Sequence, residues 1–328
     1  MRVALVNPPW TFENSIYFGC RAPHLPLELG YSKALLEAAG HEALMLDAHL
    51  CGTPMGALAD AVADFRPDMT VVSTAPTYLF WRCAQPELRV PREFLAALDG
   101  RGGRTVAVGP HGSATPRAAL NKLGADVVVR GECEEVVARL AAAGDGFRAV
   151  PSIAFREGGE VRVTGGPAAA QFAGLPALRW PGQWIARHKH HHHRFDAEPD
   201  GPGAEVEASR GCPYTCTFCA KLDFRDAYRR RRLDLVLEEI DGLVAQGVTY
   251  VYFVDEIFLP QRPLLEALVP RPVRFGVQTR IDLWKPDMLD LLGAAGCVSI
   301  EAGVESLTEE GRAALDKRCR STTDELAD

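Results

Sequence analysis

Residues 209–219 read Ser209-Arg210-Gly211-Cys212-Pro213-Tyr214-Thr215-Cys216-Thr217-Phe218-Cys219, a C-x3-C-x2-C loop directly after a stretch predicted as a strand, Glu205–Ala208. The spacing lets one compact turn aim all three thiols at a single centre. Clustered thiols in a chain without a disulfide pattern point to metal ligation. A [4Fe–4S] cube has four irons, so three thiolates would leave one iron open to an outside ligand. One alternative is structural zinc, which ordinarily wants four closed ligands and another spacing. The other is three unconnected buried cysteines. Cys20, Cys51, Cys83, Cys133, Cys297 and Cys319 show no ligand spacing and read as small buried hydrophobes.

Downstream of the loop, strand-like stretches at Thr249–Val254, Arg274–Thr279 and Cys297–Glu301 alternate with helical stretches at Leu233–Gln246, Pro263–Leu268, Pro286–Ala295 and Thr308–Asp316. With the strand before the loop, they form consecutive βα units, the first part of a (β/α) barrel. Barrel active sites are built at the carboxyl ends of the strands. Those ends carry Asp255-Glu256, Arg280, Glu301 and Glu305, whose alternative role is a solvated strand end or local salt bridge. The chain stops at Asp328, where a full barrel would continue, so a partial barrel cut short at its C-terminus is expected.

Upstream, strands are predicted at Val3–Val6, Ala43–Leu46, Met69–Ser73, Thr105–Val108 and Asp126–Val129. Helices fit at Leu27–Ala39, Thr53–Asp64, Pro91–Leu98, Thr115–Leu123 and Glu134–Ala143. Strands separated by helices imply an α/β fold with a doubly wound parallel sheet. Ligands of such sheets sit beyond the carboxyl ends, which here hold Asn7-Pro8, Asp47, Ser73-Thr74, Gly109-Pro110-His111 and Gly131-Glu132. These loops are expected to line an open cavity. A hairpin is predicted at Ser152–Arg156 and Val161–Thr164, and the Pro/Gly-rich stretch to Gly203, with its run of histidines from His188, reads as a linker or cap. The expected division is 1–148, 149–203 and 204–328.

Composition narrows the function classes. Hydrophobic residues at 47% and charged residues at 24% describe an ordinary globular chain. The net charge of −7, from 36 basic and 43 acidic residues, gives no electrostatic case for nucleic acid. The dense basic run Arg229–Arg232 is expected to open a helix and face solvent. No apolar window is long enough to span a membrane. The N-terminal MRVALVNPPW lacks a signal-peptide pattern, so a cytoplasmic protein with reduced thiols is expected.

The cysteine loop after the first strand of a βα barrel resembles the radical S-adenosylmethionine (SAM) superfamily. The series Val6-Asn7-Pro8-Pro9, Leu25-Pro26-Leu27-Glu28-Leu29-Gly30-Tyr31, Ala39-Gly40-His41-Glu42, Leu46-Asp47-Ala48, Val108-Gly109-Pro110-His111 and Val129-Arg130-Gly131-Glu132 is similar to the cobalamin-binding domain of the B12-dependent radical SAM class. The resemblance implies a Rossmann-like cobalamin domain ahead of a radical SAM barrel. It also implies a [4Fe–4S] cluster on Cys212, Cys216 and Cys219, with SAM on the open iron. By the same resemblance, Phe218, Glu256 (in preference to Asp255), Arg280, Glu301 and Glu305 contact SAM. Asn7, Pro8, Asp47, Ser73, Thr74, Gly109, Pro110, His111, Gly131 and Glu132 contact cobalamin, the alternative being a domain without a cofactor. Asp47-Ala48-His49-Leu50-Cys51-Gly52 also matches D-x-H-x-x-G, but after the second strand, so His49 is not expected on cobalt. The implied reaction is reductive SAM cleavage to a 5′-deoxyadenosyl radical, then methyl transfer to an unactivated carbon. The alternatives are rearrangement, cyclisation or oxidation, or a fragment inactive alone. Implied partners are a small-molecule or peptide substrate and a flavodoxin- or ferredoxin-like electron donor.

Overall fold

The computed structural model describes residues 1–11, 23–76, 88–188, 200–219 and 224–327. Cys20, Cys83 and His190–His193 lie outside the described residues. The chain forms two compact units, Met1–Gln171 with Leu222–Arg225, and Phe172–Lys221 with Asp226–Asp328.

The first unit runs β1 (Arg2–Asn7), α1 (Leu27–Ala38), β2 (Glu42–Asp47), α2 (Ala48–Cys51), α3 (Met55–Phe65), β3 (Met69–Ser73) and α4 (Arg89–Leu98). It continues with β4 (Arg104–Val108), α5 (Pro110–Ala114), α6 (Pro116–Leu123), β5 (Val127–Val129), α7 (Glu134–Ala143), β6 (Ile153–Glu157) and β7 (Glu160–Thr164). Among the described residues these strands form one sheet in the order β2-β1-β3-β4-β5-β6-β7. The first five are parallel, and β6 and β7 add antiparallel.

Every residue of β3 is buried, as is every residue of β1 after Arg2, which requires cover on both faces and explains the unbroken apolar run Val3–Val6. Side chains alternate between two layers. Val3, Leu5 and Val71 pack with Leu29 and Leu36 of α1 and Val137 and Leu140 of α7. Ala4, Val6 and Val72 pack with Leu58 and Val62 of α3 and Phe94 and Leu98 of α4. Each buried Leu or Val contributes about 1.5–3 kcal/mol by leaving water. The hairpin expected to begin the linker instead extends this sheet, because Ile153 and Phe155 pack into the same core as Val127 and Val129.

β1 lies between β2 and β3, so the chain leaves β1 first to one side and then to the other. A sheet wound in this order has its ligand crevice outside the carboxyl ends of the strands where the direction reverses. Here those ends are Asn7 and Ser73.

The second unit runs α8 (Gly182–Arg187), β8 (Gly203–Val206), β9 (Ser209–Arg210), β10 (Arg229–Arg230), α9 (Leu233–Val244), β11 (Tyr250–Phe253) and α10 (Arg262–Leu268). It closes with β12 (Arg274–Thr279), α11 (Pro286–Ala294), β13 (Cys297–Ala302), α12 (Glu309–Ala314) and α13 (Thr323–Ala327). Its larger sheet has the order β13-β12-β11-β8, with every pairing parallel. Val206, Phe253, Val277 and Ile300 lie in register on one face. There Phe253 packs against Phe258 and Phe275, and Phe258 stacks on Trp284. Helix α9 turns Val236, Ile240 and Leu243 inward at helical spacing, and Thr308 caps α12 by accepting the Gly311 N–H.

Two expectations are corrected in this unit. The stretch taken as linker or cap is core from Phe172 to His188, where Leu175, Leu178, Trp180, Trp184 and Ile185 are buried. Its prolines and glycines hide the apolar spacing. His188 leaves the histidine run to pair with buried Glu205 at 2.8 Å. The arginine run does not open α9 as one solvated face. Arg230 and Arg232 are exposed, while Arg231 is buried on Glu239 and on the Leu175, Pro176 and Glu207 carbonyls. No helix among the described residues is long and apolar enough to cross a membrane.

Candidate functional site

The cysteine loop starts where β8 ends, at the carboxyl edge of its sheet. Short β9 pairs with β10 and carries the chain to Gly211, whose φ of +79° suits a residue without a Cβ. Cys212 N–H donates to the Asp226 carbonyl at 3.4 Å, and Cys219 N–H closes a turn onto the Cys216 carbonyl at 3.1 Å. Thr215 Oγ1 donates to Asp316 at 2.7 Å, and Thr217 N–H donates to the Leu315 carbonyl at 3.0 Å. Cys212, Cys216 and Cys219 are not joined in disulfides and are each half-buried, and the neighbouring Phe218 ring is 53% exposed.

The donor set tests what this loop can hold. Structural zinc ordinarily takes four closed protein ligands, and this loop offers three thiols. A cube takes one thiolate per iron, so three thiolates suit a cluster whose fourth iron is left to an outside ligand.

The acids and the base at the other strand ends have defined partners. Glu256 accepts the Gly211 N–H at 2.7 Å, directly ahead of Cys212. Asp255, buried beside it, accepts the Ala208 N–H at 2.8 Å and the Ser209 hydroxyl at 2.5 Å. Arg280 is buried; Asp282 fills its planar fork at 3.0 and 2.7 Å, and its remaining nitrogen donates to the Lys317 carbonyl at 2.6 Å. The same guanidinium lies 4.1 Å from the centre of the Tyr214 ring in the cysteine loop. Glu305 sits at φ +67° and pairs with Lys317 at 3.1 Å, while Glu301 is half-buried near the end of β13.

At the carboxyl edge of the first unit the sequence-predicted residues meet one another. Asn7 Nδ2 donates to Asp47 at 3.0 Å, Ser73 Oγ donates to Asn7 Oδ1 at 3.2 Å, and Trp10 Nε1 donates to the same oxygen at 2.7 Å. Thr74 Oγ1 and His111 Nδ1 lie 3.2 Å apart, with Pro110 opening α5. The open cavity expected here is closed at these groups: Asn7, Ser73 and Thr74 are 1–3% exposed and Pro8 is buried, leaving Pro110 and His111 half-buried. Neutral amide, hydroxyl and imidazole groups suit a corrin ring, whose rim carries amides. A bound ligand would have to replace their mutual hydrogen bonds.

The glycines expected to admit a ligand serve the chain's own packing. A Cβ on Gly109 would stand 2.5 Å from Thr74 Oγ1, and one on Gly131 would stand 2.3 Å from the Ala168 carbonyl oxygen. Glu132 accepts the Ala170 N–H at 3.0 Å, so Gly131-Glu132 hold the chain after β7. Trp10 and Ser113 were not anticipated, though Ser113 ties Gly109 to Gly131. Trp10 had one usable signal, a large aromatic directly after the Asn-Pro-Pro strand stop.

The Asp47-x-His49 match has a local explanation. Asp47 is the N-cap of α2, accepting the Leu50 N–H at 2.9 Å, and Gly52 ends that single turn at φ +65°. Burial, and then the nearby His24, push His49 down to about 4. The unfolded chain therefore binds this proton first, and stability is lost as pH falls below the ordinary value of about 6.5. Between pH 7 and 5 the wild type should lose about 2 kcal/mol more than His49→Gln, read from urea midpoints at both pH values. Equal losses would show that His49 is not held neutral.

The comparisons divide the chain in the same way. Residues 206–327 match the Radical SAM superfamily, and residues 21–141 match the B12 binding domain. An anaerobic magnesium-protoporphyrin IX monomethyl ester cyclase of Cereibacter sphaeroides is 28% identical over 94% of this chain and 51% of its own length. A methyltransferase of Pyrococcus horikoshii, described as uncharacterized, is 22% identical over 93% of this chain and 66% of its own. The chain thus spans about half to two thirds of these relatives. The radical SAM methyltransferase TsrM of Kitasatospora setae, with cobalamin and a [4Fe–4S] cluster bound, superposes with a TM-score of 0.73 at 22% identity, over 94% of this chain and 64% of that one. The cobalamin-dependent SAM radical enzyme OxsB, with aqua-cobalamin and SAM bound, gives 0.78 at 20% identity, over 99% and 46%. At such identity these structures establish a shared fold.

Proposed function

Because the chain belongs to the radical SAM enzymes that carry a B12-binding domain, we propose that it transfers a methyl group from SAM to an unactivated carbon of a small-molecule or peptide substrate. The reaction would run in the cytoplasm with electrons from a flavodoxin- or ferredoxin-like donor. The supporting observation is one chain with a loop of three half-buried thiols after β8 and, in its other unit, a doubly wound sheet with neutral donors at its switch point.

When bound, the cluster with SAM supplies a 5′-deoxyadenosyl radical, and cobalamin supplies the methyl group. Cys212, Cys216 and Cys219 would hold the cluster. Glu256, Glu301 and Glu305 would receive the amine and hydroxyl groups of SAM, beside the exposed Phe218 ring. Arg280, whose donors serve Asp282 and the Lys317 carbonyl, would act on SAM through Tyr214 and Asp282. Asn7, Pro8, Asp47, Ser73, Thr74, Gly109, Pro110 and His111 would form the cobalamin edge, with Gly131 and Glu132 supporting it. Burial of these groups keeps water from competing for their hydrogen bonds.

The cyclase relative, which matches nearly the whole chain, favours a second reading, a radical cyclisation. Product analysis separates the two. Anaerobically reconstituted full-length protein, supplied with cobalamin, SAM and a strong reductant, should form S-adenosylhomocysteine as well as 5′-deoxyadenosine. 5′-Deoxyadenosine alone would favour the cyclase-type reading.

A further inference from the structure

The acids at the end of β11 hold the chain that leads into the cysteine loop. The Val254 N–H donates to the Val206 carbonyl at 3.0 Å as an ordinary rung between β11 and β8. Beyond it the backbones part, and side chains take over. Asp255 receives the Ala208 N–H and the Ser209 hydroxyl, and Glu256 receives the Gly211 N–H. Three of the four residues between β8 and Cys212 that follow Glu207 are thereby fastened to one dipeptide.

We propose that Asp255 is a positioning residue for the cysteine loop, acting with Glu256 as a two-point clamp that fixes the direction in which Cys212 leaves the sheet. Buried Asp255 fastens the trunk of the loop, and half-buried Glu256 fastens its first turn. The inference rests on the radical SAM reading of the loop. It adds a task for Asp255, which the sequence had passed over in favour of its neighbour.

The chemistry of the clamp predicts which substitutions it tolerates. Burial, with Glu207 and Glu256 nearby, pushes the Asp255 carboxyl well above the usual carboxylate range against the pull of its two hydrogen bonds. Its function here is to accept and to share a proton with Ser209, whose hydroxyl also lies 3.4 Å from the Ile257 carbonyl. Asparagine can do both: its oxygen accepts from Ala208, and its amide donates to Ser209, which donates onward to Ile257. Leucine has similar size and can do neither.

The test uses the full chain, reconstituted anaerobically with iron and sulfide. Asp255→Asn should keep wild-type iron and labile sulfide and the wild-type EPR signal of the reduced cluster. Asp255→Leu should retain at least fivefold less of both. Should Asp255→Leu fail to fold, Glu256→Ala decides the matter in the cluster-free protein. Amide exchange at Gly211 should speed at least tenfold there, while exchange within β8 and β11 stays unchanged. A wild-type cluster in Asp255→Leu, equal loss in Asp255→Asn, or an unchanged Gly211 amide in Glu256→Ala would overturn the proposal. If the wild type binds neither iron nor sulfide, the radical SAM reading fails by itself, and the exchange measurement still judges the clamp.

Discussion

Cys212→Ala, Cys216→Ala and Cys219→Ala are each expected to abolish SAM cleavage and to remove the broad visible absorbance of the reconstituted protein. Each thiolate would bind a different iron of the cube, so no neighbouring sulfur could substitute for a lost one. Cys51→Ala and Cys133→Ala should leave iron content unchanged. Cys51 lies in the single turn of α2, and Cys133 is buried against the core that contains Val136 and Val137. Iron and labile-sulfide assays on the five variants read this directly. Protein holding about one zinc and no labile sulfide would refute the cluster.

Glu207→Ala is expected to destabilise the second unit by about 3–5 kcal/mol, the loss seen when one partner of a buried ion pair is removed. Glu207 and Arg210 are completely buried and joined by two hydrogen bonds, 2.9 and 2.8 Å. The Arg210 guanidinium also lies 4.7 Å from the centre of the Phe172 ring. Truncation leaves a charged guanidinium in the interior, and that desolvation outweighs the attraction lost. The pair itself need contribute little, so the double variant Glu207→Leu/Arg210→Met should recover much of the loss. Urea unfolding of the full chain, followed by tryptophan fluorescence from Trp180 and Trp184, measures both. A Glu207→Ala loss below about 1 kcal/mol would place the pair in water rather than in the core.

Several expectations could be read without a structure because they depend on neighbours in sequence. The unbroken apolar run Val3–Val6 of β1 required a buried strand, and the Asn7-Pro8-Pro9 stop marked where it must end. The stretch from Phe172 to His188 was misread because its buried residues are spread among prolines and glycines. Composition over a window reports average polarity, whereas burial depends on where Trp180, Trp184 and Ile185 land. The arginine run failed in the same way, since neighbours of one charge were sent to opposite environments: Arg231 to buried Glu239, Arg230 and Arg232 to the surface.

The sequence by itself determined the alternation of strands and helices, hence a doubly wound domain ahead of βα units, and three thiols on one short turn. Each is a property of adjacent residues, carried by periodicity or spacing. Only the tertiary structure decided the partners of the polar groups. It set Asn7 between Asp47 and Ser73, gave one nitrogen of Arg280 to the Lys317 carbonyl, and gave Gly131 to the chain at Ala168. It also divided Asp255 from Glu256, burying the first on Ala208 and Ser209 and placing the second on Gly211. Past the end of a strand the backbone no longer dictates where a side chain points. A hydrogen bond acts only over about 3 Å, so its partner is chosen by strand order and register, which join residues far apart in the chain.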